Sequence, residues 1–101
     1  MKSKAARPLA LIVEQRREEI KAVAARHGAR SISVFGSVAR GEERSMSDID
    51  FLVDFEAGTS LFDLMHLQDE LSALLACSVD VVSEGGLKER DLQIRREAVL
   101  L

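Results

Sequence analysis

The sequence predicts a small α/β sandwich, a mixed sheet of at least three strands with helices packed on one face and a set of carboxylates on the other. Three observations predict it. Short runs at 31–35, 48–55 and 78–82 are rich in β-branched and aromatic residues and carry a strand period. Apolar residues at helical spacing fill 9–27, 61–76 and 87–101. The two patterns alternate along the chain, which is the order that lets helices cover a sheet.

With 101 residues, 47% of them hydrophobic, the chain is read as one domain over 1–101 with a core sufficient for independent folding. A net charge of −3 gives no electrostatic footprint for tight, sequence-blind binding to a polyanionic duplex, so stable nucleic-acid binding is not expected. Cys77 is the single cysteine and the histidines number two, so neither an internal disulfide nor a zinc site is expected. That usage fits a reducing cytosol and a cytoplasmic protein. No apolar run approaches the ~20 residues of a membrane span, and no membrane partner is expected.

The first helix is expected from Pro8 to about His27-Gly28, after a frayed basic Met1–Arg7. Leu9, Ile12, Val13, Ile20, Val23 and Ala24 form its apolar stripe, and Arg16, Arg17, Glu18, Glu19 and Lys21 a solvated face. His27, in its last turn, is assigned to capping the helix dipole. Ser31–Phe35 is a strand that ends at Gly36, where the chain can turn; Ser37–Arg40 then supports a turn or two of helix, followed by a polar loop, Glu42–Ser47, in which Arg44 is solvated. A second strand carries Asp48-Ile49-Asp50 and the apolar run behind it. Ser60-Leu61-Phe62-Asp63 has the pattern of a capping box opening a helix to about Ala76, with Leu61, Phe62, Leu64, Met65, Leu71, Leu74 and Leu75 toward the sheet. Ser78–Val82 is a third strand, and 87–101 a terminal helix whose stripe is Leu87, Ile94, Ala98 and Leu101.

Two clusters carry the chemistry. Gly36-Ser37 sits where a strand runs into a helix start, a place whose N–H groups lack intrahelical partners and favour an anion. A glycine lets a phosphate approach the backbone closely, and a serine hydroxyl adds a donor. Ten residues later, alternation places Asp48 and Asp50 on one strand face while Ile49, Phe51, Val53 and Phe55 take the other. Two carboxylates so placed repel one another until a cation neutralises them, and hard oxygen ligands suit Mg²⁺ or Mn²⁺. Side chains at this spacing can converge on two metals about 3.5–4 Å apart, as phosphoryl-transfer sites require. Asp80 is a third carboxylate, set among valines, where burial without a partner would cost several kcal/mol, so it should face water or a cation. Asp54 shares the parity of Asp48 but lies about 20 Å along the strand, too far to share a metal. Glu84, beside Gly85-Gly86, is read as loop charge. Arg40 has two open readings, a phosphate contact or an ion pair with a loop glutamate. Arg90, Arg95 and Arg96 are either solvated or meet an acidic partner.

Gly36-Ser37, ten residues, then Asp48-Ile49-Asp50 resembles the signature of the DNA polymerase beta nucleotidyltransferase superfamily. The fuller string GSVARG…SDIDFLVDF resembles its minimal nucleotidyltransferase (MNT) family, small domains that pair with HEPN-domain toxins in toxin–antitoxin modules. The likeness covers nearly the whole chain and is looser at the C-terminus, which ends Leu100-Leu101 where family members often carry an aromatic residue. It implies the small nucleotidyltransferase fold, a pair of Mg²⁺ ions, and ATP as substrate. It also implies that Gly36, Ser37 and Arg40 bind nucleotide, that Asp48, Asp50 and Asp80 are catalytic metal ligands, and that Asp80 accepts the proton of the attacking hydroxyl. The implied acceptor is a tyrosine of a cognate HEPN toxin, with the domain acting as antitoxin. The chain has no Tyr, so tyrosine self-modification is excluded, while serine or threonine self-modification and a homo-oligomer stay open. Two competing readings are an antitoxin that acts only by masking its toxin and a transferase for a small hydroxylated molecule.

Overall fold

The computed structural model describes residues 9–41 and 48–101. The expectations for Met1–Pro8 and for Glu42–Ser47, including Arg44, lie outside the described residues. The described elements, in order, are α1 (Leu9–Gln15), α2 (Arg17–Arg26), β1 (Ala29–Phe35), α3 (Gly36–Arg40), β2 (Ile49–Phe55), α4 (Leu61–Leu75), β3 (Val79–Ser83), α5 (Leu92–Glu97) and β4 (Val99–Leu100), with 3₁₀ turns at Glu84–Gly86 and Glu89–Asp91. This is the expected small α+β fold, built on a mixed sheet.

The single first helix is interrupted at Arg16, whose backbone (φ −103°, ψ 14°) leaves helical values. The i→i−4 ladder is nonetheless kept on both sides, through Arg16 N–H to Ile12 O at 3.0 Å and Ile20 N–H to Arg16 O at 2.9 Å. The predicted stripe survives the break, with Val13, Ile20, Val23 and Ala24 all buried. The capping box of α4 is present: Asp63 N–H donates to Ser60 Oγ and Ser60 N–H to Asp63 Oδ2. The face of α4 on the sheet is Leu67, Leu71 and Leu75, with Leu64 and Leu74 at its margin. Leu61, Phe62 and Met65, expected to face the sheet, are exposed. By helical spacing they fall on the side of α4 away from Leu67, Leu71 and Leu75, whereas Leu64, in the same turns, packs against the core. His27 goes beyond expectation. It is the C-cap residue of α2, but its ring does more than sit against that helix end: Nε2 lies 2.8 Å from Glu70 Oε1 on α4 and ties two helices together.

Among the described residues the sheet has four strands in the order β3-β2-β1-β4. β1 runs antiparallel to β2 and to β4, and β3 parallel to β2. Ile32, Val34, Ile49, Phe51, Val53, Val79 and Val81 form the core with the helical residues above. The other face, expected to be open, is partly covered: Phe35 and Leu52, which share the parity of Asp50, are buried too. The 3₁₀ turn Glu84–Gly86 contacts β2 on its way out of β3, and α5 contacts both β1 and α3.

The terminal helix is the largest correction. Residues 87–101 form only a 3₁₀ turn and the six-residue α5, after which Ala98 turns extended (φ −66°, ψ 132°) and Val99–Leu100 becomes an edge strand. The helical stripe of Leu87, Ile94, Ala98 and Leu101 is therefore not realised. The cause is tertiary. β1 has a second edge, and pairing Val99 with Val34 and Leu100 with Ser33 satisfies backbone groups there that a helix would leave without a strand partner. Leu101 N–H extends the pairing to Ile32 O at 3.0 Å, and the Arg17 guanidinium holds Leu101 O.

Candidate active site

The site lies where β1 ends and β2 and β3 begin. Because β1 and β2 are antiparallel, the last residue of β1, Phe35, stands opposite Asp50, and the chain then leaves the sheet at Gly36. Because β2 and β3 are parallel, Asp80 stands beside Asp50 on its other flank, one strand spacing or about 4.8 Å away. Ile49 N–H donates to Ser78 O at 3.0 Å and fixes that register two residues before Asp80. The turn, the middle carboxylate and the third carboxylate thus line up across three strands.

Asp48 differs from its expected position. It precedes the first strand residue and is exposed, so it reaches the site from the entry to β2 rather than from within the pleat. Its charge is still felt at Asp50. The Asp50 carboxyl is held above its ordinary pKa by burial first, then by the negative charges of Asp80 and Asp48, with the Arg40 guanidinium pulling the other way. Asp80 is exposed, as a carboxylate among valines should be, while Val79 and Val81 on either side are buried.

Gly36 has φ +77°, a conformation that L-residues rarely adopt. A Cβ there would overlap the Asp50 carboxylate, 3.3 Å from its Cγ and closer still to Oδ2. Ser37 follows in the first turn of α3, and Gly41, at φ +72°, closes that turn. Arg40, the last residue of α3, places its Nη1 2.9 Å from Glu97 Oε1. It thus has an acidic partner on α5, while the expected pairing with a glutamate of the loop after α3 lies outside the described residues.

Asp54 stands at the far end of β2, opposite Ser31, with its carboxylate 3.3 Å from Arg30. Glu84 is ion-paired with Arg95 at 3.4 Å, which gives one of the three C-terminal arginines an acidic partner within the chain. Cys77 is half-buried, and burial together with nearby Asp48 pushes its thiol pKa up. Two contacts had no legible counterpart in the sequence. Glu97 meets Arg40 from 57 residues away. Gln68 on α4 accepts from Val81 N–H at 2.9 Å and so braces the strand that carries Asp80. The Gln93–Glu97 pair beside the first of them, at i,i+4 spacing and 2.8 Å, had a local signal.

Among the described residues, no three His, Cys, Asp or Glu side chains are drawn close enough to hold a metal ion. The three aspartates are neighbours whose charges bear on one another without converging. Their chemistry fits a hard divalent cation: oxygen donors only, partly open to solvent, with mutual repulsion that a cation would relieve. A cavity of about 350 Å³ opens elsewhere, between α2, β1 and β4, lined by Lys21, Ala24, Arg30, Ile32 and Leu100.

A family model for the nucleotidyltransferase domain matches residues 16–99. This chain belongs to that family. The protein adenylyltransferase MntA of Thermococcus cleftensis is 49% identical over 63 residues, 62% of this chain and 64% of that relative. A Methanocaldococcus jannaschii protein assigned as a protein adenylyltransferase is 41% identical over 71 residues, 70% of this chain and 76% of its own length. Among solved structures, a protein assigned as a minimal nucleotidyltransferase superimposes with a TM-score of 0.83 at 48% identity, covering 91% of this chain and 95% of its own. A toxin–antitoxin structure with AMP-PNP shares the fold, with a TM-score of 0.72 at 21% identity over 82% of this chain and 69% of that one. The matched strands and turns of this nucleotidyltransferase include every element that meets at Asp50.

Proposed function

We propose that this nucleotidyltransferase moves AMP from ATP to a hydroxyl of a partner protein and acts as the antitoxin of a toxin–antitoxin pair. The observation that carries the reading is the alignment of Gly36, in the turn that leaves β1, with Asp50 on β2 and Asp80 on β3, within a chain 49% identical over its matched part to a protein adenylyltransferase. Asp48, Asp50 and Asp80 would hold divalent cations, two Mg²⁺ in this reading. Bound there, they would neutralise phosphate charge and make the α-phosphorus easier to attack.

The chain's own residues have distinct tasks. Gly36 clears space beside Asp50, and Ser37 with the adjacent amides binds the β and γ phosphates, with Arg40 beside them. Asp80, an exposed carboxylate on a braced strand, aligns the acceptor hydroxyl and takes its proton. The acceptor oxygen bonds to the α-phosphorus as the bond from that phosphorus to the bridging oxygen breaks, and pyrophosphate leaves with its electron pair. The acceptor proposed is a tyrosine of a HEPN-domain toxin, and since the chain has no Tyr it must come from another molecule. Such a reaction belongs in the cytoplasm, where ATP is available. No helix among the described residues is long and apolar enough to cross a membrane.

The direct test is incubation with labelled ATP, Mg²⁺ and the protein encoded beside it, followed by mass spectrometry of both chains. An AMP increment on the partner tyrosine, lost on chelation of Mg²⁺, is the expected result. Equal ATP affinity by calorimetry with Mg²⁺ and with excess chelator would remove the metal-assisted reading.

A further inference from the structure

Arg40 is held from behind. Its Nη1 is 2.9 Å from Glu97 Oε1, and the other oxygen of the same carboxylate, Oε2, accepts from Gln93 Nε2 at 2.8 Å. Glu97 closes α5, one residue before the chain turns extended and enters β4, which pairs with β1 just short of Gly36. The carboxylate is therefore fixed by its own helix, by the strand that follows and by Gln93. Its side chain is only 21% exposed, against 43% for Arg40, so the pair is screened less than an open surface contact. On the other side, Arg40 closes the five-residue α3, which contacts β2 and whose first residue, Gly36, abuts the Asp50 carboxylate. Gln93, Glu97, Arg40 and Asp50 form a line from the C-terminal helix into the site.

We propose that Glu97 is a positioning residue for nucleotide binding, fixing the Arg40 guanidinium where it meets the triphosphate. The inference rests on the nucleotide reading of Arg40 given above. An arginine side chain gives up rotamer freedom when ordered, and Arg40 springs from a helix of five residues that offers little support of its own. A carboxylate already anchored at its second oxygen removes much of that cost before ATP arrives. A guanidinium carries five N–H donors in a planar fork, so the bond to Glu97 orients the whole group while using one of the five.

The test is calorimetric titration of Mg²⁺-ATP into the full chain as wild type, Glu97→Ala, Glu97→Gln, Arg40→Ala and the Arg40→Ala/Glu97→Ala double variant, with KM and kcat from transfer assays. Glu97→Ala should weaken ATP binding about three- to tenfold, in the lower part of the range for contacting pairs. The effect should fall on KM for ATP more than on kcat, whereas a merely structural loss would lower kcat through the active fraction and spare KM. Glu97→Gln keeps an acceptor oxygen for Arg40 and should restore most of the affinity. In the Arg40→Ala background Glu97→Ala should add nothing. Should Glu97→Ala not fold, Gln93→Ala carries the same test, because it frees the second carboxylate oxygen and should raise KM by a smaller factor. Wild-type affinity in Glu97→Ala beside weak binding in Arg40→Ala would overturn the inference and leave the Arg40 reading standing, as would strictly additive losses in the double variant. Wild-type affinity in Arg40→Ala would overturn both.

Discussion

Gly36 and Asp50 compete for one space: the carboxylate fills the position that a Cβ on residue 36 would take. Gly36 opens α3 and Asp50 lies in β2, 14 residues apart in sequence, yet each fixes the other's options. Gly36→Ala must both adopt φ +77° and displace Asp50. We expect it to lower stability by about 1–3 kcal/mol through backbone strain and transfer by about 100-fold through misplacement of the carboxylate. Thermal melts and initial rates measure the two separately, and a variant with wild-type rates would show that the close approach has no catalytic consequence.

Charge removal along β2 should separate site from scaffold. Asp48→Asn and Asp50→Asn should abolish transfer, whereas Asp54→Asn, at the far end and paired with Arg30, should keep it and cost at most about 1 kcal/mol of stability. Circular dichroism checks folding. Equal damage from Asp54→Asn in a folded protein would mean that the ligands are assigned to the wrong end of the strand.

Asp80→Asn distinguishes enzyme from mask. Val79 and Val81 are buried and Gln68 braces Val81 N–H, so the strand should keep its shape when the charge is lost. The variant should still bind its partner, transfer no AMP, and fail to neutralise the partner at substoichiometric ratios where wild type succeeds. Full neutralisation at the wild-type ratio, with no mass increment, would leave masking as the mechanism.

Acid stability should depend on two carboxylates with opposite signs. Glu70 has its pKa lowered, first by the hydrogen bond from His27 and then by Arg26. Its contribution is therefore complete above the ordinary value of 4.5 and is lost as pH falls through the depressed folded value. Asp50 has its pKa raised, so its contribution is complete below the ordinary value of 3.8 and is lost as pH rises through the elevated folded value. Thermal melts from about pH 3 to pH 7 should show a shallower acid-side loss in Glu70→Gln, and no loss of stability at neutral pH in Asp50→Asn. Parallel curves for wild type and Glu70→Gln would remove the His27–Glu70–Arg26 contacts as a source of acid sensitivity.

What the sequence determined by itself was local. Alternation in Ile49–Phe55 decides which side of β2 is core, helical spacing decides that Ile20, Val23 and Ala24 face the sheet, and Ser60 with Asp63 decides where α4 starts, because each follows from residues within a turn or two of one another. The glycine-serine turn and the paired aspartates were legible for the same reason. Tertiary structure decided the rest. Residues 99–100 have a helical pattern and became a strand because β1 offered an unpaired edge, and only the strand order brings that edge to them. Asp80 stands beside Asp50 because β3 pairs in parallel with β2 after a helical crossover, a register that no short stretch of sequence encodes. Glu97 reaches Arg40 for a related reason: an ion pair across 57 residues has no period to reveal it, and exists only once α5 is carried back over the sheet.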